Sequence, residues 1–198
     1  LANLPILKFL RLPEICAITQ AQTLGIAPML EKIEAALASG LKMIRVRENT
    51  LPEKERFTFA KAVKSLCDRY EAISVLNAST LEDIDIAELL GFSGIHLSSA
   101  VSKRLDDCPP FDWVGASCHN IGDVRHAESL GYDYVQLSPV KKTESHPDTA
   151  PMGWENFSTI AGKVSIPVVA LGGLTPEDME TARMHGGHGI ACLRAAWR

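Results

Sequence analysis

A repeat that begins with glycine constrains the fold of this chain more than any other sequence feature. In each copy a glycine is followed, after three residues, by a short strand-like triplet, and the copies begin at Gly40, Gly91, Gly131 and Gly186. Each glycine follows a segment of helical character and suits the left-handed position that commonly ends a helix. The repeat therefore indicates a helix followed by a strand, four times along the chain.

Four further segments with strand character alternate with these copies, at residues 15–19, 73–77, 113–117 and 168–172. The segments between strands space their apolar residues as helices do, for example at Ile33, Leu37 and Leu41. Eight strands with intervening helices imply parallel strands joined by right-handed crossovers. We therefore predict an α/β fold with one domain, a compact (β/α)8 TIM barrel over residues 13–198.

An open, doubly wound sheet is the alternative architecture. That fold places a glycine-rich phosphate loop directly after its first strand. Residues 18–21, at the end of the first predicted strand and just beyond it, read ITQA and contain no glycine. The closed barrel is therefore the favoured prediction.

Residues 1–12 are predicted to be an extended N-terminal arm or linker. Pro5 and Pro13 interrupt regular structure, and Lys8 and Arg11 interrupt the apolar run that a signal peptide needs. The chain begins with Leu1 rather than Met, which suggests that something N-terminal is missing.

Composition excludes several classes of partner. The net charge is −4 with no basic block, which disfavours binding of duplex nucleic acid. No apolar run reaches the roughly 18 residues that a membrane span requires. The five cysteines are scattered without a metal-binding or disulfide spacing, which is typical of reduced thiols in a cytoplasmic protein. The sequence leaves open whether the chain forms a homo-oligomer.

The candidate site follows from the barrel, because barrel enzymes carry their chemistry at the carboxyl ends of the strands. The residues at these ends form a polar, basic ring in which Glu48 is the only acid, so we expect an anionic ligand. The predicted substrate-binding residues in or near this ring are Arg45, Arg47, Asn77, His96, Ser117, Gln136, Thr143, Gly172, Gly173 and Arg194.

Arg45 and Arg47 are two residues apart and so face the same side of their strand. Two buried guanidinium groups without partners would cost several kcal/mol, so a phosphate or pyrophosphate is expected to meet them. The alternative is a structural ion pair with Glu48 or with an acid on a neighbouring strand.

Gly172 and Gly173 end the seventh strand, where barrels often bind phosphate. Glycines let backbone N–H groups approach an anion closely, and Arg194 after the eighth strand would add a charge. A tight turn that leads into the next helix, with Thr175 as its N-cap, is the structural alternative and is compatible with phosphate binding.

His119 ends the fifth strand and is the predicted catalytic acid or base, with Ser117 on the same face. The alternative is a surface histidine beside a helix capped by Asn120. Cys118 faces the other way and is predicted to be a packed thiol. Asn77 and His96 fit either a ligand contact or a satisfied core group. Three other histidines are predicted to be solvated: His126, His185 and His188.

Residues 138–153 form the longest polar, proline-containing stretch, directly after the sixth strand. We expect either a mobile lid that carries Lys141, Lys142 and His146 over the site, or a plain solvated loop.

Taken in order, the motifs resemble the thiamin phosphate synthase/TenI superfamily. The matching segments are IRVRE at 44–48, GIHL at 94–97, GASCH at 115–119, YDYVQLSP at 132–139 and PVVALGG at 167–173. The resemblance implies a (β/α)8 barrel that binds a thiazole phosphate, a small phosphorylated heterocycle. The N-terminal segment also resembles the linker of proteins in which a MutT-like Nudix hydrolase precedes such a barrel.

The resemblance breaks down at the synthase metal site. Synthases of this family hold Mg²⁺ with one aspartate after the third strand and one after the fourth, and those positions are Ala78 and Val101 here. Neither side chain can ligate Mg²⁺, which takes oxygen ligands. Two lysines of the family are also replaced, by Asn49 and His146. Asp106 and Asp107 are the nearest acids that could compensate. We therefore expect no cofactor, with Mg²⁺ only if the chain is a synthase.

Three functions remain compatible with the sequence. The TenI branch aromatises a thiazole tautomer with a histidine in a Ser-x-His motif, which corresponds to Ser117-Cys118-His119. A synthase that joins a pyrimidine pyrophosphate to a thiazole phosphate would need a rebuilt pyrophosphate site, made from Arg45, Arg47 and Lys141 or Lys142. A non-catalytic phosphate sensor, or a partner domain for a fused Nudix hydrolase, is the third.

Overall fold

The fold is a closed barrel of eight parallel strands in the order β1 to β8, with β1 hydrogen-bonded to both β2 and β8. The computed structural model describes residues 4–144 and 148–198, with side chains from residue 8. The strands are β1 Ile15–Ile18, β2 Met43–Val46, β3 Ile73–Ala78, β4 Gly94–Leu97, β5 Trp113–Cys118, β6 Tyr134–Leu137, β7 Val168–Ala170 and β8 Gly189–Cys192. The predicted TIM barrel is thus confirmed, and the open sheet is excluded.

Helices connect the strands around the outside of the barrel. They are α1 Leu4–Arg11, α2 Ala21–Leu24, α3 Ile26–Ala38, α4 Glu53–Arg69, α5 Glu82–Leu89, α6 Ser99–Ser102, α7 Ile121–Ser129, α8 Gly153–Ala161 and α9 Met179–Met184, with 3₁₀ turns at Pro176–Asp178 and Ala195–Trp197. In the chain as described, with its gap at 145–147, no helix is both long and apolar enough to cross a membrane.

The glycines of the repeat adopt the predicted conformation. Gly40, Gly91, Gly131 and Gly186 have φ values of 102°, 69°, 76° and 84°, in the left-handed region that favours glycine. Each lies between the end of a helix and the start of the next strand, so the repeat marks the turn that returns the chain to the barrel.

The apolar side chains form two cores. The larger core lies between the sheet and the surrounding helices. The smaller one fills the barrel interior with side chains such as Cys16, Met43, Val75 and Val169. Tyr134 also lies in this interior, and Gly115 makes room for it: a Cβ at Gly115 would lie 2.2 Å from the Tyr134 ring. The interior is therefore packed below the carboxyl ends of the strands.

The N-terminal segment differs from the prediction, because residues 4–11 form helix α1 and not an extended arm. Pro5 is the second residue of this helix, where a missing N–H costs nothing, and Pro13 lies just beyond its end. The helix is tied to the amino-terminal end of the barrel. Lys8 forms an ion pair with Asp133, and Leu12 is buried.

Two predictions about cysteine and histidine have different outcomes. All five cysteines are free, and Cys118 is buried as predicted. The histidines predicted to be solvated are instead half-buried, each with a ring nitrogen bonded to a backbone carbonyl: His126 to Ser102, His185 to Thr181 and His188 to Leu12. A ring nitrogen bonded to a carbonyl can be buried at little cost, and for His126 and His188 that carbonyl lies on a segment distant in sequence, which local spacing does not reveal.

Candidate active site

A cavity of about 670 Å³ opens at the carboxyl ends of the strands. Of the predicted site residues, it is lined by Arg45, Arg47, Asn77, Ser117, His119, Thr143, Gly172, Gly173 and Arg194. The other two, His96 and Gln136, are fully buried one layer deeper in the barrel. We call Arg45, Asn77, His96, Ser117 and Gln136 the floor, and His119, Glu144, Gly172, Gly173 and Arg194 the rim.

The cavity is electropositive. Five of its lining side chains are cationic: Arg45, Arg47, Lys142, Arg194 and Arg198. Among the described residues, its one acidic lining side chain is Glu144, which is exposed. A concave site with this balance attracts an anionic ligand.

Arg45 is held by neutral oxygens of the floor and not by an acid. Its Nε donates to Asn77 Oδ1 at 3.1 Å, and its terminal nitrogens donate to Gln136 Oε1, Asn77 Oδ1 and Ser117 Oγ. Burial, together with the positive charge of the neighbouring Arg47, lowers the pKa of Arg45 to about 10. Its positive charge therefore lies at the base of the cavity with no carboxylate bonded to it in the described part of the chain.

Glu48 does not form the ion pair with Arg45 or Arg47 that the structural alternative predicts. Its two carboxylate oxygens accept the backbone N–H groups of Ala21 and Gln22 at 2.6 and 2.9 Å, at the start of α2. This buried acid fixes the loop after β1, so the structural pair between Glu48 and either arginine is ruled out.

Arg47 lines the cavity above Arg45 and is half-buried. Its backbone N–H donates to Thr19 Oγ1. Its guanidinium makes no hydrogen bond or ion pair with any residue that the structure describes. Arg47 is thus available to a ligand in a way that Arg45 is not.

His96 and Tyr134 extend the floor downward. The His96 ring bonds Tyr134 Oη through Nδ1 at 3.2 Å and Ser117 Oγ through Nε2 at 3.0 Å. Burial, with Arg45 and Arg47 nearby, holds the pKa of His96 well below its usual range, so the ring is neutral. His96 is therefore bonded within the floor and does not itself line the cavity.

His119 lies on the rim with its ring exposed to the cavity. Its Nδ1 lies 3.0 Å from the carbonyl oxygen of Ser138. Because a carbonyl can only accept, Nδ1 carries the hydrogen of the neutral ring and Nε2 is the basic nitrogen. This arrangement presents a fixed proton acceptor.

The start of α7 positions His119. Asn120 Oδ1 accepts the backbone N–H of Asp123 at 2.9 Å, and Asp123 Oδ2 accepts the backbone N–H of His119 at 3.0 Å. Lys103 forms an ion pair with Asp123 at 2.8 Å. The capping role predicted as the alternative for Asn120 is thus present, and the same turn fixes the backbone of His119.

The turn after β7 brings two glycines against the loop after β6. Gly172 and Gly173 have φ values of 108° and 65°, and a Cβ on either would lie within 2.7 Å of the backbone of Pro139 or Lys142. Their N–H groups bond no acceptor in the described ranges 4–144 and 148–198. The helical cap predicted at Thr175 is also present, as a capping box with Asp178.

Two residues of the loop after β6, Lys141 and Glu144, form ion pairs with residues that follow β7 and β8. Arg194 lies 3.4 Å from Glu144, and Lys141 lies 2.7 Å from Asp178. Lys142 and Thr143 line the cavity, while Lys141 does not. His146, predicted to be part of a lid, lies outside the described residues.

Sequence reasoning missed Tyr134, Asp123 and Glu144. Tyr134 has a recognisable signal, because it is two residues from Gln136 on one strand and so faces the interior with it. Asp123 fits the pattern of a residue three positions after an N-cap. The contact of Glu144 depends on how a loop folds back, which no local pattern encodes.

The cavity does not suit a Mg²⁺ ion held by carboxylates. Ala78 and Val101 are buried and carry no oxygen on their side chains, and Asp106 and Asp107 do not line the cavity. In the described part of the chain, no three His, Cys, Asp or Glu side chains cluster as metal ligands. Two carboxylates that could replace the family's aspartates are therefore not brought together.

Comparisons with known proteins agree with this architecture. The profile of the family described as thiamine monophosphate synthase matches residues 15–196. A protein of Aquifex aeolicus, named as a candidate thiamine-phosphate synthase 2, is 36% identical over 187 residues, 92% of this chain and 96% of that protein. A thiamine-phosphate synthase of Synechococcus is 29% identical, and the match covers 84% of this chain but 47% of that protein.

Solved structures give the same result. The thiamine phosphate pyrophosphorylase of Pyrococcus furiosus superposes with a TM-score of 0.74 at 25% identity, covering 91% of this chain and 85% of that one. The family profile spans nearly the whole barrel, and the relatives are similar to this chain in sequence and fold. The chain belongs to the thiamine monophosphate synthase/TenI family.

Proposed function

We propose that this barrel binds a thiazole phosphate and catalyses a metal-independent proton transfer that aromatises its ring, as the TenI branch of the family does. The observation that carries the proposal is His119, whose Nδ1 is bonded to the Ser138 carbonyl and whose ring lines an electropositive cavity. The residues in the positions of the synthase's metal-binding aspartates, Ala78 and Val101, favour this reaction over pyrophosphate displacement.

The reaction needs one proton acceptor and a site that binds the phosphate group. Nε2 of His119 removes a proton from the ring carbon of the non-aromatic tautomer, and the C–H electron pair enters the ring. The protonated imidazole then returns the proton to the exocyclic carbon, whose double bond moves into the ring. Atoms and charge balance without an oxidant or a metal.

The phosphate is proposed to bind at the rim. The N–H groups of Gly172 and Gly173 have no acceptor among the described residues, and the guanidinium of Arg194 lies at the neighbouring strand end. Backbone donors in this arrangement bind an anion without a large change in structure. Arg47, which lines the same cavity and is free of partners in the described chain, is also available to the ligand.

The direct test is turnover of the non-aromatic thiazole phosphate tautomer in the presence of a chelator. We expect aromatisation at the same rate with and without the chelator. His119→Ala should lower the rate by at least about 100-fold, because a positioned acid or base contributes 10²- to 10⁴-fold, while thiazole phosphate still binds. His126→Ala is the matched control, since His126 bonds Ser102 and does not line the cavity.

Turnover that survives His119→Ala would remove this residue from the mechanism.

The family's synthase reaction is the second candidate, supported by the names of the relatives and by the two arginines at the cavity. It predicts formation of thiamin phosphate from pyrimidine pyrophosphate and thiazole phosphate, with a requirement for Mg²⁺. Binding of thiazole phosphate without aromatisation or thiamin phosphate formation would support the non-catalytic phosphate sensor. The fusion to a Nudix hydrolase stays a prediction.

A further inference from the structure

The floor contains a chain of hydrogen bonds whose directions can be assigned. Tyr134 Oη, the His96 ring and Ser117 Oγ are bonded in series at 3.2 and 3.0 Å. Tyr134 and His96 are fully buried, whereas Ser117 lines the cavity. The series therefore links the barrel interior to a hydroxyl that a ligand can touch.

The assignment begins at Tyr134. Burial raises the pKa of the Tyr134 phenol well above its usual value, so the hydroxyl keeps its hydrogen. In the described chain, the one acceptor within hydrogen-bond distance of this hydroxyl is Nδ1 of His96. A buried O–H without an acceptor is costly, so Tyr134 donates to Nδ1.

The neutral His96 ring has a single hydrogen, which is thereby placed on Nε2 and donated to Ser117 Oγ. Arg45 donates to the same oxygen at 3.4 Å. Ser117 Oγ thus accepts two hydrogen bonds from the protein. Its own hydrogen has no acceptor among the residues described, and it is free to point into the cavity.

We propose that Tyr134 and His96 are positioning residues that fix the Ser117 hydroxyl as a hydrogen-bond donor, so that the site selects ligands with an acceptor at the floor. This inference rests on the proposed function, under which the acceptor is the ring nitrogen of the thiazole phosphate. A hydrogen bond donated to that nitrogen withdraws electrons from the neighbouring ring carbon and so favours loss of its proton.

Two phosphates of the same shape test the selection. Thiazole phosphate carries the ring nitrogen, and its thiophene analogue has a C–H in that place. By calorimetry we expect the full chain to bind the thiazole about tenfold more tightly, the value of one hydrogen bond. Ser117→Ala should remove this preference by weakening the thiazole alone. Tyr134→Phe should reduce it to about threefold or less.

Tyr132→Phe is the matched control, because the Tyr132 hydroxyl bonds Ser102 in the outer shell and should leave the preference unchanged. Equal, tight binding of both phosphates to the native chain would overturn this inference and leave the proposed function standing. Failure of both to bind would overturn the proposed function and this inference with it.

The tautomer of His96 can be measured without any ligand. In a spectrum of the chain with ¹⁵N-labelled histidine, we expect His96 to have a protonated Nε2 and an unprotonated Nδ1, with no titration between pH 6 and 8. Tyr134→Phe should allow the Nδ1–H form to appear. An Nδ1–H tautomer in the native chain would reverse the direction of the series and overturn the assignment.

Discussion

The floor and the rim of the cavity hold their charges in different ways. On the floor, Arg45 is buried and bonded to oxygens of three other side chains. On the rim, Arg194 is exposed and pairs with Glu144, itself 83% exposed, at 3.4 Å. A buried set of interlocked groups has a defined geometry before ligand arrives, whereas an exposed ion pair is weak and exchanges readily. Under the proposed function, we expect the floor to determine which ligand fits and the rim to bind its charge.

The largest effect is expected on the free energy of unfolding, when substitutions of Arg45 in the floor and of its neighbour Arg47 are compared. Arg45→Met should lower the free energy of unfolding by about 2 kcal/mol, because the carbonyl oxygens of Asn77 and Gln136 lose their donors. Arg47→Met should change it by less than about 0.5 kcal/mol, since no described side chain depends on Arg47. Denaturant unfolding measures both, and equal losses would contradict the distinction between a bonded and an available arginine.

Arg47, which should contribute little to stability, should contribute measurably to the affinity for anionic ligands. Arg47→Ala is expected to weaken inorganic pyrophosphate about tenfold and inorganic phosphate about threefold, because the larger anion reaches from the rim to Arg47. Competition calorimetry at fixed ionic strength measures the two constants. Equal weakening of both anions would indicate that Arg47 acts through the general potential of the cavity and not through contact.

Substitution of Asp123, which accepts the backbone N–H of His119, should have a smaller and pH-dependent effect on the free energy of unfolding. Burial raises the pKa of Asp123, but its bonds from Lys103 and the His119 N–H outweigh this, and the net pKa is lowered. A carboxylate with a lowered pKa in the folded state stabilises the protein above its unfolded pKa of about 3.9 and loses that contribution as the pH falls through the folded value. Asp123→Asn should therefore cost about 1 kcal/mol at pH 7.

The same variant should cost progressively less as the pH falls below about 4, as measured by thermal unfolding at each pH. A cost that does not change with pH would mean that hydrogen-bond geometry, and not the carboxylate charge, holds the start of α7. Asp148→Asn is the control, because Asp148 is exposed and has no ion pair in the described chain.

The smallest effect is expected at the rim. Glu144→Gln removes the exposed partner of Arg194 and should strengthen phosphate binding about twofold at low salt, since exposed pairs are worth only about 0.2–1 kcal/mol. The gain should disappear at high ionic strength. A larger gain that persists in salt would show that Glu144 obstructs the phosphate site directly.

Most of the fold and part of the site can be predicted from the sequence because both depend on local patterns. The glycine repeat and the strand patterns are local, so they locate all eight strands, and the barrel then places their ends in one ring. The prediction of an extended arm or linker over residues 1–12 is wrong for residues 4–11, because Pro5 lies in the first turn of a helix, where its missing N–H interrupts nothing.

Contacts across the barrel could not be predicted in the same way. The bond from Arg45 to Gln136 joins residues 91 positions apart, and that from His96 to Tyr134 depends on the space left by Gly115. The direction of these side chains follows from strand alternation, but their partners depend on interior packing. Sequence therefore places His96 and Gln136 among the predicted ligand contacts, and the structure is needed to show that they lie buried beneath the cavity as part of its floor.

The measurement that tests the central claim most directly is calorimetric titration with thiazole phosphate and, separately, with pyrimidine pyrophosphate, each with and without Mg²⁺. The account predicts that thiazole phosphate binds equally well in both conditions and that the pyrophosphate gains nothing from the metal. Binding of the pyrophosphate that requires Mg²⁺ would contradict it, because the metal would then have ligands in place of the aspartates that Ala78 and Val101 replace.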